Sequence, residues 1–128
     1  MIDIKIPAGI KHYKEVTVSG NDSACVFGSG EVNVFATPAL IALLEGTALE
    51  SIAAYMPAGY TSVGTEVNLR HLKATPIGMK VKADTYLKSV QGRKLFFELH
   101  AWDDRGMIGI GTHMRVIVEE KGFMDKLK

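Results

Sequence analysis

The sequence predicts an α+β domain in which a curved antiparallel sheet is wrapped around one long central helix. Three observations lead to this fold class: one long helical segment, a switch to two-residue periodicity after it, and short turn-rich links between the alternating segments. The 128 residues fit one compact domain, residues 1–128, and leave no room for a second.

The helical segment runs from Thr37 to Met56. Thr37 is a good N-cap residue, Pro38 suits the first helical position, and Pro57 and Gly59 end the helix. Apolar residues recur at helical spacing, namely Ile41, Leu44, Ala48, Leu49, Ile52 and Met56. We therefore expect this helix to be buried over most of its circumference.

Strand-like alternation flanks the helix on both sides. One segment, Tyr13 to Val18, precedes it, and four follow it: Thr61 to Lys73, Met79 to Lys88, Leu95 to Trp102 and Ile108 to Val118. Short links favour an antiparallel meander of the last four, with one apolar face covered by the helix.

In the last of these segments, the apolar residues from Ile108 to Val118 occupy the face expected to meet the helix. That assignment places His113 and Arg115 on the opposite face, toward solvent or a partner subunit. An open sheet also leaves strand edges that a second copy can close, so we expect a homodimer or homotetramer.

Composition narrows the classes of partner. The net charge is +1, which predicts no binding to nucleic acid, and no apolar run reaches the length of a membrane span, so we expect no membrane partner. The first ten residues lack the basic start and apolar core of a secretory leader. A lone cysteine, Cys25, excludes an intrachain disulfide and a cysteine-based zinc site. The expected location is therefore the reducing cytoplasm.

Glu45 departs from the helical pattern because it falls in the middle of the apolar stripe, whereas Glu50 falls on the opposite side. A buried carboxylate is costly unless it is paired, and it is retained where its reactivity is used. The alternative is a structural carboxylate at a subunit interface.

His71 is the second anomaly, because it shares a strand face with Val67 and Leu69. A histidine on an apolar face is often a core residue, but a carboxylate on the opposing helix makes a Glu45–His71 pair plausible. Thr37 lies on the Glu45 side of the helix, about 12 Å away along the axis, so a substrate carbonyl fits between them.

Glycines inside strands mark either a bulge or a close approach by a ligand or another backbone. Gly64 and the Gly109-x-Gly111 pair are such positions. The chain contains no metal-ligand spacing, nucleotide-phosphate loop or hydrolase serine elbow, and no cofactor is predicted.

Several segments with nearly uninterrupted spacing, between residues 34 and 123, resemble the hotdog-fold thioesterases of the fluoroacetyl-CoA thioesterase type. They are Val34-Phe35-Ala36-Thr37 through Leu44-Glu45, Gly64-Thr65, His71 with Ala74-Thr75-Pro76, and Gly111-Thr112-His113-x-Arg115. The resemblance implies a dimeric hotdog fold, an active site at the subunit interface and a catalytic set of Thr37, Glu45 and His71. It also implies that Gly64 and Arg115 bind substrate.

The segment from Gly20 to Asn33 differs from the family, being short, rich in Gly and Ser, and with Phe27 as its one aromatic residue. We therefore expect a short or medium acyl group rather than a fluorinated one. The expected activity is acyl-CoA thioester hydrolysis, with Glu45 acting either as nucleophile or as general base. The alternatives are a non-catalytic acyl-CoA-binding hotdog module and a hotdog dehydratase or hydratase.

Overall fold

The computed structural model describes residues 3–128. Met1 and Ile2, the first two of the ten residues predicted not to form a secretory leader, lie outside the described residues. Its five strands are β1 (Lys11–Thr17), β2 (Tyr60–His71), β3 (Lys80–Gln91), β4 (Lys94–Asp103) and β5 (Gly106–Glu119). Its helices are α1 (Ala24–Phe27), α2 (Thr37–Ile52) and α3 (Glu120–Asp125). The predicted α+β architecture, one long helix against an antiparallel sheet, is confirmed.

Helix α2 begins at Thr37 as expected, but the predicted N-cap role of Thr37 is wrong. Ala36 is the N-cap residue and makes no side-chain cap hydrogen bond, so Thr37 occupies the first helical position and Pro38 the second, not the first as predicted. The Thr37 side chain is therefore available for another partner. Helix α2 ends at Ile52 and continues as one 3₁₀ turn, Ala53–Tyr55.

The sheet order is β1-β3-β4-β5-β2, so the predicted four-strand meander is wrong in one respect. Strands β3, β4 and β5 do form a meander, but β2 pairs with β5 rather than with β3. The link after His71 therefore runs from the β2 edge of the sheet past β5 and β4 to β3, which lies next to the opposite edge strand β1. Strands β1 and β2 are the two edge strands, and β2 is the longer of them, with 12 residues against 7.

The predicted facing of β5 is also wrong. His113 and Arg115 are 2% and 5% exposed and point toward the helix, whereas Ile110 on the other face is 38% exposed. The reason is a bulge at Ile108, because Ala101 pairs with Gly109 and Trp102 pairs with Met107. The helix-facing residues of β5 beyond this bulge are Gly109, Gly111, His113, Arg115 and Ile117.

The core lies between α2 and the inner face of the sheet. Leu40, Leu44, Ala48 and Ile52 of α2 are completely buried, as are facing residues such as Val81. Burial of apolar surface stabilises the folded state by about 25 cal/mol per Å², so the contact between these side chains and the sheet holds the helix in place. The positions of the side chains on either flank of α2 are thereby fixed relative to β2 and β5.

The same packing accounts for a membrane-like feature. The segment Thr37–Tyr55 is 19 residues long with a mean hydropathy of 1.2, which by length and composition is enough to span a membrane. The expectation that no apolar segment reaches this length is therefore wrong. Core helices pass the same test, and the apolar face of α2 is covered by the sheet.

Candidate active site

Thr37 and His71 meet where the start of α2 lies against the end of β2. The Thr37 hydroxyl oxygen is 2.7 Å from Nδ1 of His71, a short and well-formed hydrogen bond. Two residues singled out separately in the sequence are thus direct partners, although 34 positions separate them. The imidazole orientation is set by this contact.

The environment of His71 favours the neutral imidazole. Burial lowers the pKa of His71 below its usual value, and an interaction with the Lys73 backbone offsets part of this decrease. In the neutral ring, Nδ1 accepts the Thr37 hydroxyl proton when the ring proton is on Nε2. Nε2 itself is buried and has no hydrogen-bond partner among residues 3–128. In the tautomer with the ring proton on Nε2, this N–H group has no acceptor among the described residues.

A cavity of about 370 Å³ opens beside this pair. Its walls are mostly small or apolar and come from the segment before α2 and from the chain after β2: Ala24, Ser29, Gly30, Val32, Val34, Phe35, Leu72, Lys73 and Ala74, besides Thr37 and His71. Lys73 is the cation in this lining. Ser29 and Gly30 of the glycine-rich stretch before α2 therefore line the cavity.

Glu45 lies two turns further along α2 and on its flank. Leu44 is completely buried, and each helical residue turns by about 100°, so Glu45 emerges beside the buried stripe. Its side chain is 38% exposed. The expectation that Glu45 sits in the middle of the apolar stripe is therefore wrong, because the stripe is centred nearer Leu44 than Ile41.

The carboxylate of Glu45 lies over strands β2 and β5. Its Oε2 atom is 3.9 Å from Nη1 of Arg115, whose side chain is only 7% exposed. Ser62 of β2 fixes the orientation of the Arg115 guanidinium, because Nε donates to the Ser62 hydroxyl and Nη2 to the Ser62 carbonyl, both at 2.8 Å. Burial lowers the pKa of Arg115, and the charge of Glu45 raises it in part.

Gly64 explains how the carboxylate fits. A Cβ atom at this position would lie 2.6 Å from Oε2 of Glu45 and 3.4 Å from Nη1 of Arg115. The register of β2 against β5 shifts between Gly64 and Glu66, so a bulge is present as well. The bulge interpretation of this glycine is confirmed, whereas the group that approaches it most closely is the Glu45 side chain and not a ligand or another backbone.

Within one chain the structure assembles two half-sites and does not bring Glu45 and His71 together as a pair. Thr37 and His71 form the first, and Glu45, Gly64 and Arg115 form the second. Along β2, seven residues separate Gly64 from His71, which is about 23 Å of extended strand. Along α2, eight residues separate Thr37 from Glu45, which is about 12 Å.

His113 is a site residue that the sequence reasoning assigned to the wrong face. Its Nδ1 atom donates to the Glu66 carbonyl at 2.8 Å, and Nη1 of Arg115 lies 3.2 Å from its Nε2 atom. The glycines at 109 and 111 were the usable signal, because small residues at alternate positions indicate the face that a helix approaches. No cluster of three or more potential metal ligands occurs within residues 3–128.

Comparison with known proteins assigns the chain to a family. A family model described as fluoroacetyl-CoA-specific thioesterase matches residues 18–121. The chain belongs to this family. The matched segment includes both half-sites and every strand of the sheet except β1, which ends at Thr17.

Individual relatives agree with this assignment. The fluoroacetyl-CoA thioesterase of Streptantibioticus cattleyicolor is 36% identical over 95 residues, covering 74% of this chain and 68% of the relative. A crystal structure of a fluoroacetyl-CoA-specific thioesterase variant with fluoroacetate and CoA is 28% identical, with a TM-score of 0.87 over 92% of this chain and 99% of the other.

More distant structures show the fold alone. A hot-dog-like protein from Thermanaerovibrio acidaminovorans is 22% identical, with a TM-score of 0.87 over 94% of this chain and 90% of the other. The predicted hotdog fold is confirmed, and membership of the fluoroacetyl-CoA-specific thioesterase family confirms that the protein is a thioester hydrolase.

Proposed function

We propose that this protein hydrolyses short or medium acyl-CoA thioesters to the free acid and CoA, with Thr37, Glu45 and His71 as its catalytic residues. The observation that carries the proposal is the 2.7 Å contact between Thr37 and Nδ1 of His71, which leaves the buried Nε2 atom without a partner. An imidazole held in this way is suited to general acid–base chemistry.

The site is complete only when a second copy is added. Strand β2 is an edge strand, and its outer edge carries backbone groups that a second β2 satisfies in an isologous dimer. When two antiparallel β2 strands pair about an axis near Val67 and Asn68, each His71 lies within about one residue of the partner's Gly64. The Thr37–His71 half-site then faces the partner's Glu45.

The reaction follows from these positions. Glu45 takes a proton from a water molecule, and the resulting hydroxide attacks the thioester carbon. As the carbon–sulfur bond breaks, the Nε2–H group of His71 donates a hydrogen bond to the departing sulfur, and the proton that Glu45 took from water is transferred to that sulfur, which leaves Glu45 ionised and His71 neutral. Thr37 keeps the ring in the orientation and tautomer that this step requires.

Gly64 and Arg115 act on the substrate side. Because Gly64 has no side chain, the thioester can approach the Glu45 carboxylate closely. Arg115 holds a positive charge 3.9 Å from that carboxylate, within ion-pair distance. Direct attack by Glu45 on the carbonyl is the alternative route, and ¹⁸O from labelled water would enter Glu45 only on that route.

The cavity beside His71 supports a short or medium acyl chain. At about 370 Å³ it is at the small end of ligand pockets, and Val34 and Phe35 give it apolar walls. Lys73 at its lining is suitably charged for a CoA phosphate. The lone, exposed Cys25 fits a reducing cytoplasm, where we place the protein.

Thiol release from a panel of acyl-CoA substrates, from acetyl to long-chain, tests the function. We expect release that peaks at short or medium chains and falls by at least about 100-fold in Glu45→Gln. Glu50→Gln is the matched control, because Glu50 lies on the same helix but contacts Lys14 and His12 instead. Binding without release would indicate a binding module, and a change in the acyl double bond without release would indicate a dehydratase or hydratase.

A further inference from the structure

His113 occupies the floor of the Glu45 half-site, and both of its ring nitrogens are engaged. Nδ1 lies 2.8 Å from the Glu66 carbonyl, which can only accept, so the proton is on Nδ1. Nε2 lies 3.2 Å from Nη1 of Arg115, which can only donate, so Nε2 is the acceptor. These contacts define a neutral imidazole with one fixed tautomer.

The first contact stabilises the bulge in β2. Gly64 pairs with Arg115 and Glu66 pairs with Met114, so Thr65 is the extra residue. The His113 ring binds the carbonyl after Thr65, while the Thr65 hydroxyl donates to the Met114 carbonyl at 3.2 Å. Side-chain bonds thus hold the bulge from both strands.

The bulge determines which way Gly64 faces. Val67 packs against the core on the helix side, and strict alternation would turn residue 64 away from that side. The extra residue reverses the alternation, so that Gly64 lies under the carboxylate of Glu45. Loss of the Glu66 contact would therefore weaken the geometry that lets substrate approach.

The second contact fixes Arg115. Three of its five N–H groups are used by Ser62 and His113, which leaves one on each terminal nitrogen, and the one on Nη1 is directed to the Glu45 side. Without the acceptor on His113, the guanidinium is free to shorten its 3.9 Å contact with the Glu45 carboxylate. The carboxylate would then be displaced from the position that proton transfer from water requires.

We propose that His113 is a positioning residue, whose neutral Nδ1–H imidazole ties the β2 bulge to Arg115 and so sets the spacing between Gly64, Glu45 and the guanidinium. This inference rests on the proposed function, since it assigns His113 a part in the same reaction without contact to the reacting atoms. Burial lowers the pKa of His113 and is consistent with a neutral ring.

Two amide substitutions separate the two bonds. In His113→Asn, the amide nitrogen takes the place of Nδ1 and retains the Glu66 contact, but the acceptor for Arg115 is lost. In His113→Gln, the amide oxygen reaches the place of Nε2 and retains the Arg115 contact, but the Glu66 contact is lost. We expect kcat to fall about 10-fold or more in each, with KM changed less than about threefold.

His100→Asn is the matched control. His100 lies on the neighbouring strand β4, where its ring stacks on Trp102 at 5.7 Å on the outer face of the sheet. We expect its kcat to stay within about twofold of wild type. Combining His113→Asn with Arg115→Lys should lower kcat no further than Arg115→Lys alone, because His113 acts through Arg115.

Nitrogen NMR of the histidine rings gives a readout that does not depend on turnover. We expect the His113 signals of a neutral Nδ1–H tautomer at pH 7. An Nε2–H tautomer, a kcat within twofold of wild type in both amide variants, or a fully additive double variant would each overturn the inference. If wild type releases no thiol while the tautomer is as expected, the proposed function fails instead.

Discussion

The Thr37 hydroxyl lies 2.7 Å from Nδ1 of His71, so that the first residue of the central helix and the last residue of an edge strand form one unit. This contact is possible because Ala36, and not Thr37, is the N-cap of the helix. It places a histidine of lowered pKa beside a cavity, with Nε2 directed away from its Thr37 partner.

The Thr37 hydroxyl is expected to matter through this bond. Thr37→Val preserves the shape of the side chain but removes the partner of Nδ1, so we expect kcat to fall by about 100-fold. Thr37→Ser retains the hydroxyl and should keep most of the activity. Steady-state kinetics of both variants, with melting temperatures to confirm folding, make the comparison. Equal activity in the two variants would remove the hydroxyl from the mechanism.

Gly64→Ala is expected to separate activity from stability. The new Cβ would meet the Glu45 carboxylate at 2.6 Å, and because that group is the end of a flexible chain, the carboxylate rather than the backbone should move. We expect kcat to fall about 10-fold or more while the melting temperature changes by only a few degrees.

Gly46→Ala provides the comparison for the Gly64 variant. Gly46 lies on α2 next to Glu45, and a Cβ there meets nothing within 4 Å. Alanine in a helix is better than glycine by about 1 kcal/mol, so this variant should be slightly more stable and fully active. A Gly64→Ala enzyme as active as Gly46→Ala would show that close approach at residue 64 is not required.

Stability is expected to decrease on acidification through the histidine range. Burial lowers the pKa of both His71 and His113 in the folded protein, whereas the unfolded chain takes up these protons near pH 6.5. The unfolded state therefore binds more protons below about pH 6.5, and the free energy of unfolding falls there.

Urea denaturation at fixed protein concentration, between pH 8 and pH 5.5, measures this dependence. We expect a plateau above about pH 7 and a decline below it, and a smaller decline in His71→Asn. A free energy of unfolding that rises on acidification through this range would contradict neutral, buried imidazoles at these two positions.

Much of the fold was predictable because periodicity reports burial directly. The start of α2 at Thr37 and the alternation in β3 follow from the positions of apolar residues along the chain. The place of β2 in the sheet was not predictable, because the length of the link after His71 does not specify which strand it pairs with. Pairing with β5 instead of β3 is decided by packing across the whole sheet.

The site was predictable as residue types but not as a geometry. Glu45 and His71 were found because each breaks an apolar pattern, yet they belong to different half-sites of one chain. The facing of His113 and Arg115 was missed because the outer face of β5 also carries apolar residues such as Ile110 and Met114, and one bulge shifts the alternation. The position of this bulge was not predicted, although the glycines at 109 and 111 indicate the face that the helix approaches.

Mixing of two inactive variants tests the composite site most directly. Glu45→Gln and His71→Ala would be unfolded together and refolded at equal concentrations, with sedimentation to confirm dimers. Each mixed dimer would carry one site with both native residues and one with neither. Since half of the dimers would be mixed, about a quarter of the wild-type thiol-release activity should return. Dimers that form but recover no activity above that of the separate variants would contradict a site shared between two copies of the chain.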